Sequence, residues 1–160
     1  MPRIRASIDI HAPIEHVYAF CTNPLNMPRI FPRDVTVEVM KEPVQPLQAG
    51  AEIVLRFQRG PVSCIWESLV TACEPLFLFE DIQVRGPMKR WLSRHYFEKI
   101  TEGTRVLHVI DYQFHFGALG RICGLMAVDP ILRGIFNHAH RATKEVCEQD
   151  WRAQESGAGR

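Results

Sequence analysis

The sequence predicts an α+β fold in which a curved antiparallel sheet of about seven strands wraps around a long, kinked C-terminal helix. Three observations predict it. A two-residue hydrophobic period at the start gives way to a short helical stretch, a long train of alternating segments follows, and a helical pattern from about Ala118 onward closes the chain. Short turn signals link the alternating segments, which favours an antiparallel meander. A sheet opened by a strand and helix and closed by a long helix can wrap that helix and leave a hollow between them. Holding something apolar is the expected business of such a chain.

In the first segment Ile4, Ala6, Ile8 and Ile10 alternate with Arg3, Arg5, Ser7, Asp9 and His11, the mark of a strand with one wet and one buried face. Ala12-Pro13 turns the chain, and Pro13 sits where a first helical residue tolerates a missing N–H. Ile14, Val17, Tyr18 and Cys21 follow at helical spacing, Asn23-Pro24 stops that helix, and residues 25–30 can add another turn or two. From Val35 the period is two. Strands are expected over residues 35–41, 51–58, 62–73, 76–84, 90–100 and 104–115, separated by turn signals such as Arg-Gly-Pro and Glu-Gly. In the closing helix Leu119, Ile122 and Met126 mark an apolar stripe that restarts after Asp129-Pro130 as Ile131, Leu132, Ile135, Ala139, Ala142 and Val146. Asp129 can cap and Pro130 can open a new helix, so a kink or break is expected there. Gly120 and Gly124 allow close packing, and the residues after Trp151 are expected to fray. Residues 1–150 thus read as a single ligand-binding domain and 151–160 as a tail.

Composition narrows the function classes. With 160 residues, 46% of them hydrophobic, the chain suits one domain with a substantial core. A net charge of +1, from 19 basic and 18 acidic side chains, gives no whole-molecule attraction for nucleic acid or anionic membranes. No stretch approaches the ~18 consecutive apolar residues of a membrane span, and the N-terminus begins a strand without a signal-peptide apolar region. A cytoplasmic protein without nucleic-acid or integral membrane partners is expected. The five cysteines, Cys21, Cys64, Cys73, Cys123 and Cys147, are odd in number and widely spaced without C-x-x-C, and read as buried reduced thiols. His138 and His140 diverge on a helix, and His11 and His16 have no nearby ligand cluster, so no metal is expected. No nucleotide-binding loop or nucleophile elbow occurs, and no cofactor is implied.

The segment Gln83-Val84-Arg85-Gly86-Pro87-Met88-Lys89-Arg90-Trp91, the strand through His95-Tyr96-Phe97, the Gly103-Thr104-Arg105 turn and Phe116-Gly117-Ala118-Leu119-Gly120-Arg121 resemble the bacterial START and birch-pollen-allergen superfamily, whose members are often described as SRPBCC or polyketide cyclase/dehydrase-like. The resemblance spans roughly residues 4–148. It implies a helix-grip fold and a cavity for lipids, sterols, polyketides or other hydrophobic molecules. Some members cyclise or dehydrate polyketides, but the family shares a cavity more than a catalytic motif, so no fixed triad carries over.

Trp91, Ser93, His95 and Phe97 share one strand face, and Val106, His108, Ile110, Tyr112 and Phe114 form the more apolar face of the next strand. All of these except Val106 are candidate ligand-binding residues. The turn around Thr101, Glu102 and Gly103 closes as a two- or a four-residue loop, which puts His95 opposite either His108 or Ile110. Both registers make the two imidazoles neighbours, able to serve as general acid and base. Adjacent Glu80 and Asp81 point to opposite faces. Phe77 and Phe79 favour Asp81 inside, whereas Leu78, Ile82 and Val84 favour Glu80; Asp81 is slightly preferred, beside His95. Binding of a hydrophobic small molecule is the leading reading. The runner-up is a polyketide cyclase or dehydratase using His95, His108 and Asp81 or Glu80. A third class, a non-catalytic regulatory or interaction protein, follows from Leu92 and Tyr96 on the outer face, which can belong to a homodimer surface. Arg85, Lys89, Arg90 and Arg94 around Gly86-Pro87 read as a solvated turn, and the entrance is expected near the helix after Asn23, this hairpin and the 116–120 junction.

Overall fold

A computed structural model describes residues 2–115 and 128–158. Strand β1 (Arg3–Ile10) buries Ile4 and Ile10 and leaves Arg3 and Arg5 in solvent, as its alternation requires. Helix α1 (Ile14–Cys21) starts directly after Pro13 and buries Val17 and Phe20. A 3-10 turn (Pro24–Asn26) follows, its start held by the Asn23 side chain, which accepts from the Leu25 amide at 3.0 Å, and α2 (Met27–Ile30) completes the helical connection. Six strands come next: β2 (Thr36–Lys41), β3 (Glu52–Arg59), β4 (Val62–Glu74), β5 (Leu78–Arg85), β6 (Arg90–Ile100) and β7 (Gly103–Gln113). Helix α3 (Asp129–Ala158) closes the fold.

The seven strands form one sheet in the order β1-β7-β6-β5-β4-β3-β2, with every neighbouring pair antiparallel. Register shifts between Val39 and Lys41, between Glu67 and Ser68, and between Val70 and Ala72 bend the far half of the sheet, because an extra residue on one strand curves it towards its partner. The β6–β7 hairpin closes on Thr101-Glu102 with Ile100 opposite Gly103, which selects the register that puts His95 opposite His108. Gly103 has φ +143°, and a Cβ there would lie 2.1 Å from the Ile10 carbonyl oxygen. Only glycine lets β7 begin so close to the end of β1.

The outer face of the sheet carries an ionic ladder. Thr71 donates to Glu80 at 2.7 Å, Arg94 bridges Glu80 at 2.6 Å and Asp111 at 3.4 Å, and Arg3 forks onto Asp111 at 2.7 and 3.0 Å. The hydrogen bond from Arg3 holds buried Asp111 below the usual carboxylate range. Two cations of the basic cluster are thereby accounted for, Arg94 in this ladder and Arg85 on Glu67 at 3.1 Å.

Helix α3 lies across the inner face. Leu132, Ile135, Phe136, Ala139, His140 and Thr143 recur at helical spacing on the side turned to the sheet, whereas Ile131, expected in that stripe, is half exposed. Its far end is tied down where Arg29 of α2 grips Asp150 through two 2.7 Å bonds, and Glu148 accepts from the His11 amide at 2.9 Å. The break expected at Asp129-Pro130 falls at the first described residues of α3, and the stripe of Leu119, Ile122 and Met126, the Gly120/Gly124 pair and Cys123 lie outside the described residues. Past Trp151, where a tail is expected, the helix continues to Ala158 with residues 152–157 exposed.

Two groups of buried side chains flank the inner space. One gathers Ile10, Val17, Phe20, Leu55, Val70, Phe79, Phe97 and Val106, and the other Ile4, Met88, Trp91, Ile110 and Tyr112.

Candidate ligand cavity

A cavity of about 350 Å³ lies between the sheet and α3. Its wall takes Phe20, Leu55 and Phe79 from one buried group and Trp91 from the other, with Trp66 on the sheet and Phe136 on the helix. Trp66 meets Trp91 edge-on, ring centroids 5.0 Å apart, and Trp91 lies 5.6 Å from Phe136, so the aromatic wall holds itself in place. Of the three expected parts of the entrance, Asn23, Asn26 and Met27 line the cavity on one side and Pro87 and Met88 on another; the 116–120 junction lies outside the described residues.

The polar groups on the sheet and α3 at the heart of the cavity, Ser68, Asp81, Ser93, His95, His108 and His140, form one connected set. His95 stacks on His108, centroids 3.7 Å apart and planes inclined by 19°, as directly opposed residues of a hairpin can. His108 Nε2 is 3.0 Å from Ser93 Oγ, and His108 Nδ1 is 2.8 Å from His140 Nε2 on α3. Asp81, opposite Ser93 on β5, is hydrogen-bonded to Ser93 and to Ser68. Trp66 donates its indole N–H to Ser68 at 3.0 Å. Glu80 points the other way, into the outer ladder, which decides between the two adjacent carboxylates in favour of Asp81 as the inner one.

The direction of these bonds follows from one unpaired atom. Nδ1 of His140 is buried without a partner among the described residues, so the ring proton sits on Nε2, because a buried N–H without an acceptor is the costlier alternative. Nε2–H then donates to His108 Nδ1, His108 donates from Nε2 to Ser93 Oγ, and the Ser93 hydroxyl is left to donate to Asp81. Trp66 can only donate, so Ser68 also turns its hydroxyl to Asp81. Both chains end on the same carboxylate, the arrangement that suits its ionised form.

Burial sets the protonation states. It drives His95 down to about 3 and His140 to about 4, and it lowers His108 as well, so all three imidazoles are neutral near pH 7. Burial raises Asp81 to about 6, against the pull of the two serine hydrogen bonds and with a small push from the Glu80 charge. Near neutrality Asp81 is ionised. Cys21, Cys64 and Cys147 are pushed up by burial, as inert thiols are, and all four described cysteines are free.

Of the sequence-predicted site residues, Trp91, Ser93, His95, His108 and Asp81 line the cavity. Phe97, Ile110 and Tyr112 share the inward face but lie in packed core instead of the described lining, and Phe114 packs, partly buried, against that core. Phe97 is covered edge-on by Tyr18 of α1 at 5.0 Å, Ile110 is fully buried among Ile4 and Met88, and Tyr112 is wedged between Trp91 and Phe114 with its hydroxyl donating to Asp129 of α3. Nor does Asp81 hold His95; its partners are serines, and His95 Nδ1 has none among the described residues. The expected homodimer residues Leu92 and Tyr96 are half-buried on the outer face. Reading the sequence missed Ser68 and His140. The signal for His140 was its place four residues after Phe136 and eight after Leu132; for Ser68 it was the shared face with Trp66 two residues earlier. His138, two residues before His140, is exposed, so the two diverge. Among the described residues no group of histidine, cysteine and acidic side chains is arranged to hold a metal ion, and no helix is long and apolar enough to cross a membrane.

Comparison with solved structures shows the same fold elsewhere. Protein CV1439 from Chromobacterium violaceum superposes with a TM-score of 0.73 at 14% identity, over 92% of this chain and 99% of that one. TTHA0849 from Thermus thermophilus gives 0.70 at 20% identity, over 91% and 97%. The Zhui aromatase/cyclase from Streptomyces sp. R1128 gives 0.69 at 15% identity, over 99% and 98%. At these identities the likeness is one of fold. No curated protein matches the chain. A family model described as polyketide cyclase/dehydrase and lipid transport matches residues 10–134, from the end of β1 through the whole sheet and into α3. The chain therefore belongs to the polyketide cyclase/dehydrase and lipid-transport family.

Proposed function

We propose that this protein binds a hydrophobic small molecule, such as a lipid, a polyketide or an aromatic or polycyclic compound, between its sheet and α3. The observation that carries the reading is the cavity of about 350 Å³, walled mainly by apolar and aromatic side chains with a small connected set of serine, histidine and aspartate side chains among them. That is the size and character of sites that bury most of a small ligand and orient it through a few polar contacts. Native mass spectrometry of gently purified protein, compared with its denatured mass, tests it. A discrete non-covalent adduct is expected, lost in an Ala139→Phe variant whose ring would fill the cavity from the helix side. Failure of the wild-type protein to take up naphthalene at saturation, with no adduct in the native spectrum, would refute the reading.

The chain Asp81–Ser93–His108–His140 favours a second reading, acid–base chemistry of the cyclase or dehydratase kind, since hydrogen bonds of this sort can pass a proton to a carboxylate. It predicts that His108→Ala and His95→Ala slow turnover of a substrate they still bind. A homodimer through Leu92 and Tyr96 is a separate proposal, tested by the dependence of mass in solution on concentration.

A further inference from the structure

The cavity contains one charge that nothing among the described residues matches. Asp81 has no ion-pair partner there, and its hydrogen bonds come from neutral donors, Ser68 and Ser93. The other charged lining residue, Arg59, is at the rim and is paired with Asp34 at 2.8 Å. The described groups around Asp81 cannot supply a cation. His95, His108 and His140 are neutral, because the unpaired Nδ1 atoms of His95 and His140 leave no acceptor for a second ring proton. Glu80, its neighbour on β5, adds repulsion from the outer face.

Asp81 is nevertheless ionised near neutrality, and the hydrogen bonds it accepts oppose the effect of burial. Two chains of donors, Trp66 to Ser68 and His140 through His108 to Ser93, both end on it. A carboxylate offers about four lone-pair sites, so two serine hydrogen bonds leave acceptor capacity free, and Asp81 retains surface towards the cavity. The cavity it lines is walled by Trp66, Trp91, Phe79 and Phe136, and aromatic ring faces attract a cation and repel an anion. A buried charge is tolerable when paired, and here the partner has to arrive with the ligand.

We propose that the cavity takes a hydrophobic ligand bearing a protonated amine, which pairs with the Asp81 carboxylate while its apolar body lies against the aromatic wall. This rests on the binding reading above and gives it a ligand class: primary or secondary amines on an aromatic or alkyl frame, in preference to alcohols of the same shape and to acids.

Two probes of one shape test it, 4-butylbenzylamine and 4-butylbenzyl alcohol, titrated calorimetrically into the full chain at pH 7.5. The amine is expected to bind at least tenfold more tightly than the alcohol. In Asp81→Asn the amine should lose that advantage while the alcohol binds as before; Glu80→Gln, on the other face of the same strand, should keep the preference. Equal affinity of the two probes for the wild-type protein, which needs no variant to fold, overturns the proposal, as does an amine preference that survives Asp81→Asn. Alcohol binding without amine preference removes only the ligand class. Binding of neither probe, nor of naphthalene, removes the cavity reading and this inference with it.

Discussion

Acidification from pH 7 to pH 5 should destabilise the fold by about 2–4 kcal/mol. The cause is the buried imidazoles. In the unfolded chain each titrates near 6.5, whereas in the folded protein His95 titrates near 3 and His140 near 4. Their stabilisation of the folded state is full above 6.5 and is lost as pH falls towards the folded values. Over this interval the unfolded chain gains protons that the folded chain refuses, at about 1.8 kcal/mol per histidine, or about 3.6 kcal/mol for the two. Asp81 works in the opposite sense, since its folded value near 6 lies above the 3.8 of the unfolded chain. It takes up its proton in the folded state first and returns about 1.3 kcal/mol between pH 7 and pH 5. The difference is about 2 kcal/mol, and His108, also lowered by burial, adds in the same direction. Urea unfolding followed by tryptophan fluorescence at the two pH values measures it. A His95→Gln variant should lose about 1.8 kcal/mol of that pH dependence, close to half of it or more. Equal stability at pH 5 and pH 7, or greater stability at pH 5, would refute the assignment of three neutral buried imidazoles.

Three substitutions probe the frame that holds the site. Gly103→Ala places a methyl group 2.1 Å from the Ile10 carbonyl at φ +143°, and a loss of more than about 2 kcal/mol in urea unfolding is expected, with β1 loosened from β7 in hydrogen exchange. Trp91→Ala removes a buried ring that touches Trp66 and Phe136, and about 3–5 kcal/mol should disappear from the unfolding free energy. Asp111→Asn weakens the middle of the outer ladder, and should cost about 1–3 kcal/mol at pH 7, with the difference from wild type shrinking as pH falls below the ordinary carboxylate range, where the unfolded chain takes up a proton that the folded carboxylate refuses.

Periodicity carried most of the fold. Alternation at Ile4, Ala6, Ile8 and Ile10 and along the six later segments placed all seven strands to within a residue or two at most ends, and Pro13 and Asn23-Pro24 marked the bounds of α1, because which face of a strand or helix meets water is a local property. Pairing is not local. Two loop closures around Thr101-Glu102 were equally consistent with the residues, and the contact of Gly103 with Ile10, more than ninety positions away in the chain, belongs to the register that the fold adopts.

The candidate site divides along the same line. Inward orientation of Trp91, Ser93, His95 and His108 was legible from strand alternation, but alternation cannot tell a residue that faces a cavity from one that faces another side chain, which is why Phe97, Ile110 and Tyr112 turned out to be core and Phe114 to pack against it. The choice between Asp81 and Glu80 was balanced because apolar residues stand on both faces of β5; the outer ladder through Arg94 claimed Glu80. His140 reaches His108 from a helix thirty-two residues further along, and Ser68 reaches Asp81 from another strand. The sequence by itself determined which side chains point inward, since that depends on the period of each element. Which of them meet, which are buried far enough to lose their charge, and where a space remains unfilled were decided only by the tertiary structure, because hydrogen bonding and desolvation act through distances that the chain closes when it folds.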